Sequence, residues 1–361
     1  MSNIDDFNGT RAVPATQAFN EHALANWLAQ HLNGFTGPLQ VESFKGGQSN
    51  PTYKLTTSTD TYVMRAKPGP VAKLLPSAHA IEREFAVMTG LAGSAVPVPQ
   101  MLCLCEDESV IGRAFYIMSY VEGRIYWEQS LPGTTPAMRA EIYDATNQVI
   151  AALHSVDVAK AGLSEYGKPG NYFERQIGRW SKQYVASITQ AIDEMDQLMA
   201  WLPSHIPAMA RDPAMVSIVH GDFRLDNLVF HPTEPRVIAV LDWELSTLGH
   251  PLADFSYHCM GWHIRPGTFR GIGGLDLAAL GIPSESAYIR QYCARTGVAT
   301  PEQLAVDWNF YMAYNLFRMA AILQGIGKRI ESGTAASAQA VSAAAGARPM
   351  AQLAWKFANR S

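Results

Sequence analysis

Residues 217–244 read SIVHGDFRLDNLVFHPTEPRVIAVLDWE. Two short apolar, β-branched runs, Leu228–Phe230 and Val237–Leu241, flank a proline-rich turn at 232–235. That pattern predicts a tight hairpin. Pairing of its strands returns Asp242 to the neighbourhood of Asn227. Just upstream, a loop carrying His220, Asp222, Arg224, Asp226 and Asn227 is bounded on both sides by strand formers. Loops held by a rigid scaffold are where reactive side chains concentrate. Any fold for this chain must therefore present a polar loop and a returning carboxylate at the open end of one hairpin.

The surrounding chain divides in character near residue 121. Before it, Phe19, Leu24, Trp27, Leu28 and Leu32 recur at helical spacing after a loose polar lead over 1–15. Residues 39–44 alternate like a strand, "KGGQSNPTY" interrupts, and "YKLTTSTDTYVMRAKP" reads as two strands around a turn at 57–60. "SAHAIEREFAVMTGLAG" reads as a helix with Ser77 as N-cap, and two strand-like runs follow up to residue 121. Beyond Gly123, residues 135–160, 171–200 and 301–331 carry mostly helical patterns, with 217–243 the main strand exception. Residues 332–346 are low in complexity, read either as a linker or as an Ala-rich helix, and a short terminal helix follows. Two units are expected, 1–121 and 122–361, in an α+β arrangement.

The spacing then points to a chemistry. Phosphoryl transfer to a hydroxyl needs a carboxylate near the acceptor oxygen, an oxygen ligand for Mg²⁺ from the same loop, and a second carboxylate on the metal. Protein kinases meet these needs with H-R-D-x₄-N followed by D-F-G. Here His220-Gly221-Asp222 is followed after four residues by Asn227, and the hairpin ends at Asp242. Magnesium takes hard oxygen ligands, few of them from protein, and Asn227 and Asp242 fit that demand. Upstream, a Gly-rich turn can lay backbone N–H groups on phosphates, which makes Gly46, Gly47, Ser49 and Asn50 candidates for nucleotide contact. "YVMR" puts Arg65 where kinases carry a strand lysine, and the next helix offers Glu82 or Glu84 as its partner. "YIMSYVEG" at 116–123 reads as a strand and hinge, with Met118, Ser119 and Val121 as further nucleotide-contact candidates.

"HGDFRLDN", "LDWE" and "GHPLADF" together resemble the aminoglycoside phosphotransferase and choline kinase-like superfamily. With "GGQSNPTY", "YVMRAKPG", "REF" and "YFERQIGRW", the chain resembles more narrowly the kinase-like domains fused to acyl-CoA dehydrogenases. The resemblance spans about residues 20–330 and is most specific over 220–254. It implies a bilobal protein-kinase-like fold, with a small antiparallel-sheet lobe and a larger helical lobe. It implies ATP or GTP with Mg²⁺, Asp222 as the base, Asn227 and Asp242 as metal ligands, and Arg65 paired with Glu84 on the α- and β-phosphates. Asp254 would anchor the loop. Two departures stand out. Arginine replaces lysine at 65, with Lys67 on the same strand face as the alternative cation. Gly221 replaces the kinase arginine, which argues for a small-molecule kinase without an activation-loop switch.

The acceptor side is less defined. Arg175 and Arg179, four apart on one helix face, lie with Tyr172 and Trp180 in a segment that is either a solvated basic face or a surface for an anionic acceptor. Glu244 reaches either a second metal or a solvent network. The acceptor implied by the family branch is a hydroxyacyl-type or other anionic metabolite. The alternatives are a nucleotide-binding scaffold without transfer and, more weakly, an antibiotic phosphotransferase. A net charge of −4 with 17% charged residues carries no basic stripe for nucleic acid. Four cysteines without metal spacing, an N-terminus without an apolar run and the absence of a long apolar segment lead us to expect a cytoplasmic protein with free thiols and no membrane partner.

Overall fold

A computed structural model describes residues 9–45, 50–68, 80–267, 270–333 and 338–360. In chain order its first elements are β1 (Thr10–Arg11), α1 (Glu21–His31), β2 (Gln40–Phe44), β3 (Thr52–Thr56), β4 (Thr61–Ala66), α2 (Ile81–Leu91), β5 (Met101–Cys105) and β6 (Phe115–Ser119). There follow α3 (Pro136–His154), α4 (Tyr172–Ser187), α5 (Asp193–Ser204), β7 (Ser217–Val219), β8 (Leu228–Phe230), β9 (Val237–Val240) and β10 (Thr247–Gly249). The chain closes with α6 (Pro251–Cys259), α7 (Leu277–Leu280), α8 (Glu285–Thr296), α9 (Pro301–Glu331), α10 (Ala338–Ala344) and α11 (Ala347–Ala358). Gly46, Gly47, Ser49 and the Ser77 cap lie outside the described residues. Among the described residues no helix is long and apolar enough to cross a membrane. The four cysteines are free.

The chain forms two compact units. The first comprises Met1–Ile125, Ala159–Tyr166 and Asn227–Ser246; the second comprises Tyr126–Val158, Gly167–Asp226 and Thr247–Ser361. The sequence offers one boundary near 121, whereas the chain passes between the units several times, and the hairpin β8–β9 groups with the sheet.

In the first unit a six-stranded antiparallel sheet runs in the order β1-β2-β3-β4-β6-β5. The lead therefore contributes an edge strand, with Thr10 opposite Phe44. A two-residue strand has no periodicity of its own to betray it. Strand side chains alternate between faces, and that alternation decides where Arg65 goes. Met64 packs with Tyr53, Leu55 and Ile117 against Leu24 and Leu28 of α1. Arg65, one residue on, must point to the opposite face, where α2 packs on β5 and β6. Asn20 caps α1 by accepting from the Ala23 N–H at 3.0 Å.

The hairpin is tied into the same unit. Arg124 pairs with Phe230 and donates to the carbonyls of His231 at 2.9 Å and Glu234 at 2.7 Å. The Val240 N–H donates to Pro97 C=O at 2.8 Å. Gly123 is required by this close approach: a Cβ there would lie 2.3 Å from the Phe230 carbonyl oxygen and 2.5 Å from Val229 Cγ1. Gly123→Ala should therefore cost about 1–3 kcal/mol, the range for overpacking, and lower the midpoint of thermal unfolding measured by circular dichroism.

The second unit is built around α9, whose start carries a reciprocal Thr300–Gln303 capping box. The helices α4, α6 and α11 pack against it. Buried Asn315 on α9 donates to the Ala253 carbonyl at 3.0 Å and to Ser256 Oγ at 2.7 Å, pinning α6 to α9. The short ladder of β7 with β10 holds the start of the polar loop. Helix α8 and strand β10 have no counterpart in the sequence reading.

Candidate active site

The first unit gathers one cluster of the predicted residues. The Arg65 guanidinium is buried on the α2 face of the sheet, with Nε 2.9 Å from Glu84 Oε2. Its Nη2 lies 2.9 Å from Asp242 Oδ1 and 3.3 Å from Glu244 Oε2. Glu84 also accepts from Asn50 Nδ2 at 2.8 Å and from the Tyr116 hydroxyl at 3.1 Å. Tyr116 stands opposite Arg65 in the β4–β6 register, which explains how it reaches the same carboxylate. Lys67, on the same strand face, pairs instead with Glu82. The two helix acids thus divide the two cations between them. Burial alone would lower the Arg65 pKa, but Glu84, Tyr116, Asp242 and Glu244 outweigh it and hold the guanidinium above its ordinary value. Burial raises the Glu84 pKa, against the opposing pull of Arg65.

Asp242 is placed by the hairpin. The Leu241 N–H donates to the Asn227 carbonyl at 2.8 Å, so the ladder extends to the residue just before Asp242. Asp242 itself turns out of the strand at φ 66°, a left-handed conformation uncommon for a residue with a side chain. Its side chain remains 34% exposed, whereas that of Glu84 is 1% exposed, so the cluster is open on the Asp242 side. Of the hinge candidates, Met118 is buried in the sheet and Ser119 exchanges hydrogen bonds with Gln100, its N–H to the Gln100 carbonyl and its Oγ from the Gln100 N–H, both at 2.9 Å. Val121 follows the end of β6.

Asp222 lies in the second unit, and its carboxylate is gripped at both oxygens. The Tyr257 hydroxyl donates to Oδ1 at 2.5 Å, and Arg224 Nη2 lies 2.9 Å from Oδ2. The loop beneath is anchored by buried Asp254, which accepts from the His220 N–H at 2.7 Å and the Gly221 N–H at 2.8 Å. His154 Nε2 approaches the same carboxylate at 3.3 Å. Burial would raise the Asp254 pKa; His154, His220 and the backbone donors outweigh it and hold it below the usual value. Gly221 sits at φ 82°, where side chains are strained, which accounts for glycine at this place in the loop. Its carbonyl accepts from Arg318 of α9 at 2.6 Å. Asp226 is paired with Arg224 at 3.5 Å and with Arg270 at 2.6 Å.

The α4 candidates are arranged differently. Arg175 donates to the carbonyls of Lys168 and Gly170, bracing the preceding loop. Arg179 lies 5.3 Å from the Trp180 ring centroid, and Arg318 lies 5.6 Å from the same ring. Tyr172 packs edge-on against Phe173. Tyr116, Tyr257, Arg270 and Arg318 are the participants that the sequence reading missed. Tyr257 had a signal: it lies one helical turn beyond Asp254, on the same face of α6.

A model of the phosphotransferase enzyme family matches residues 40–304. Mouse acyl-CoA dehydrogenase family member 10 is 47% identical over 355 residues, 97% of this chain but 32% of that protein. The chain spans between about a third and just under half the length of the curated relatives it matches. A crystal structure from Ralstonia eutropha JMP134, provisionally described as an aminoglycoside phosphotransferase, is 61% identical with a TM-score of 0.87, covering 95% of this chain and 99% of that one. An aminoglycoside phosphotransferase in ternary complex with AMP-PNP and hygromycin B shares the fold at a TM-score of 0.58 and 15% identity, over 93% of this chain and 98% of that one.

Proposed function

The chain belongs to the phosphotransferase enzyme family, and on that premise we propose that it transfers the γ-phosphoryl group of ATP to a hydroxyl of a small anionic metabolite. The observation that carries the reading is the buried Arg65 guanidinium, joined at once to Glu84 of the helix and to Asp242 at the hairpin end. A cation fixed by a helix carboxylate, with its outer nitrogens facing a partly exposed acid, suits a polyphosphate. The bound nucleotide would take up those nitrogens through its phosphate oxygens.

Asn227 and Asp242 offer amide and carboxylate oxygens on either side of the Leu241–Asn227 hydrogen bond. This hard donor set fits Mg²⁺, which takes few protein ligands and the rest from phosphate and water. When bound, the ion neutralises phosphate charge. Asp222 takes the proton of the acceptor hydroxyl. The acceptor oxygen bonds to the γ-phosphorus while the bond from that phosphorus to the β,γ-bridging oxygen breaks. ADP leaves with that electron pair. Tyr257 and Arg224 keep the Asp222 carboxylate in one orientation, so that positioning rather than covalent catalysis lowers the barrier. The acyl-CoA dehydrogenase relatives favour an acyl-type hydroxy compound as acceptor.

Coupled ADP release in the presence of ATP, Mg²⁺ and a panel of hydroxy compounds tests the reading. Activity with at least one acceptor, abolished by EDTA and restored by excess Mg²⁺, is expected. Acceptor-dependent turnover that persists in EDTA removes Asn227 and Asp242 from the role of metal ligands.

A further inference from the structure

Within the second unit, the peptide that joins Gly221 to Asp222 is gripped on both sides. Its carbonyl accepts from Arg318 Nη2 of α9 at 2.6 Å, and its N–H donates to His220 Nδ1 at 3.2 Å. A peptide group is planar, so holding both of its polar atoms fixes the direction in which the Asp222 side chain leaves the loop. At the far end of that side chain the Tyr257 hydroxyl holds Oδ1, and the Arg318 guanidinium lies 5.1 Å from the Tyr257 ring centroid. Arg318 follows Asn315 by three positions, on the face of α9 that meets α6. One side chain thus reaches both supports of the carboxylate.

A hydrogen bond to one carbonyl does not by itself call for a charge. Arg318 is 8% exposed and enters no ion pair among the described residues. Buried charges are ordinarily paired, because taking one out of water is costly. Here the guanidinium lies against the rings of Tyr257 and Trp180. Tyr314, Tyr172, Tyr257 and Asp222 favour its charged form, and of these Asp222 alone is a carboxylate. Resting on the phosphotransferase reading above, with Asp222 as its base, we propose that Arg318 is a positioning residue for the transfer step: it holds the Asp222 carboxylate toward the acceptor hydroxyl through the Gly221 carbonyl and through Tyr257. The role requires no contact of Arg318 with nucleotide or acceptor.

The test uses the full chain with ATP, Mg²⁺ and the panel of hydroxy compounds, read as ADP release, beside crystal structures of the wild type and of Arg318→Gln. Arg318→Gln is expected to lower kcat about a hundredfold, the cost of misplacing a reacting group by about 1 Å, with KM for ATP unchanged. Arg318→Lys keeps a charged donor and should recover part of the loss. The decisive comparison is made in Asp222→Asn. A residue that acts through Asp222 has no base left to position there, so adding Arg318→Gln should cause no further loss of the residual rate. In the crystal of Arg318→Gln, the Asp222 carboxylate should be displaced and its contact with Tyr257 lost. An equal loss of kcat in the wild-type and Asp222→Asn backgrounds, or an Asp222 that keeps its place in Arg318→Gln, overturns the positioning role and leaves the kinase reading intact. A displaced Asp222 in a chain whose wild type turns over no acceptor upholds the hold on the carboxylate and overturns the kinase reading. If Arg318→Gln does not fold, Arg318→Lys carries the same comparisons with a smaller loss.

Discussion

Asp222→Asn is expected to slow transfer about a thousandfold, within the 10²–10⁴ that a positioned base contributes, while nucleotide affinity stays unchanged. The substitution keeps the size of the side chain and its oxygen toward Tyr257, so the loop should remain in place. It removes the carboxylate charge and basicity that the proposed role as base requires. It also turns an ion pair with Arg224 into at best a neutral contact. The separation of effects is the informative part. The cation proposed to hold the nucleotide phosphates is Arg65, whose carboxylate partners are Glu84, Asp242 and Glu244 and do not include Asp222. Single-turnover kinetics with ATP in excess, beside nucleotide binding by calorimetry, reads both quantities. Retention of wild-type kcat would remove Asp222 from the role of base.

A comparably large loss, of stability rather than rate, is expected at Asp254. Its two oxygens accept from consecutive backbone N–H groups, and His154 lies against it. Asp254→Asn leaves one carbonyl oxygen where two acceptors are needed and turns an NH₂ toward a donor. Breaking a buried charged network by removing one partner costs about 3–5 kcal/mol, readable by urea denaturation. The pH dependence has a definite sign. Because the folded chain holds Asp254 below its ordinary value, its contribution is fully present above the unfolded carboxylate pKa of about 4 and is lost as pH falls through the lower folded value. The wild type should thus lose stability on acidification in that window, and Asp254→Asn should lose less. An equal acid dependence in both proteins would show that Asp254 is not the group responsible.

Much of this was legible in the chain because the decisive features are local and periodic. The hairpin followed from two apolar runs around a proline-rich turn, and Asp242 came with it. Arg65 followed from its place in "YVMR", where kinases carry a strand lysine. The resemblance pairs it with Glu84, where the residues alone leave Glu82 equally open, and the packing of α2 on the sheet gives Glu84 to Arg65 and Glu82 to Lys67. Asn50, a nucleotide-contact candidate, also donates its side-chain amide to Glu84 in the buried cluster, a link that sequence spacing does not reveal. Arg270 had no signal at all. It stands alone after "RPGTF", and its role arises from the fold bringing it to Asp226, 44 positions earlier in the sequence. Edge strand β1 was invisible for the same reason: two residues acquire strand character only from a partner distant in sequence.

One guanidinium, Arg65, is surrounded by three carboxylates, those of Glu84, Asp242 and Glu244. Such a surplus of negative charge repels a naked triphosphate and welcomes one that arrives already chelated. The order of events is thereby written into the electrostatics: free ATP should compete poorly, and raising its concentration beyond that of the divalent ion should not inhibit. Discrimination between the chelated and the bare nucleotide then needs no moving part, only an excess of acid around a single buried cation.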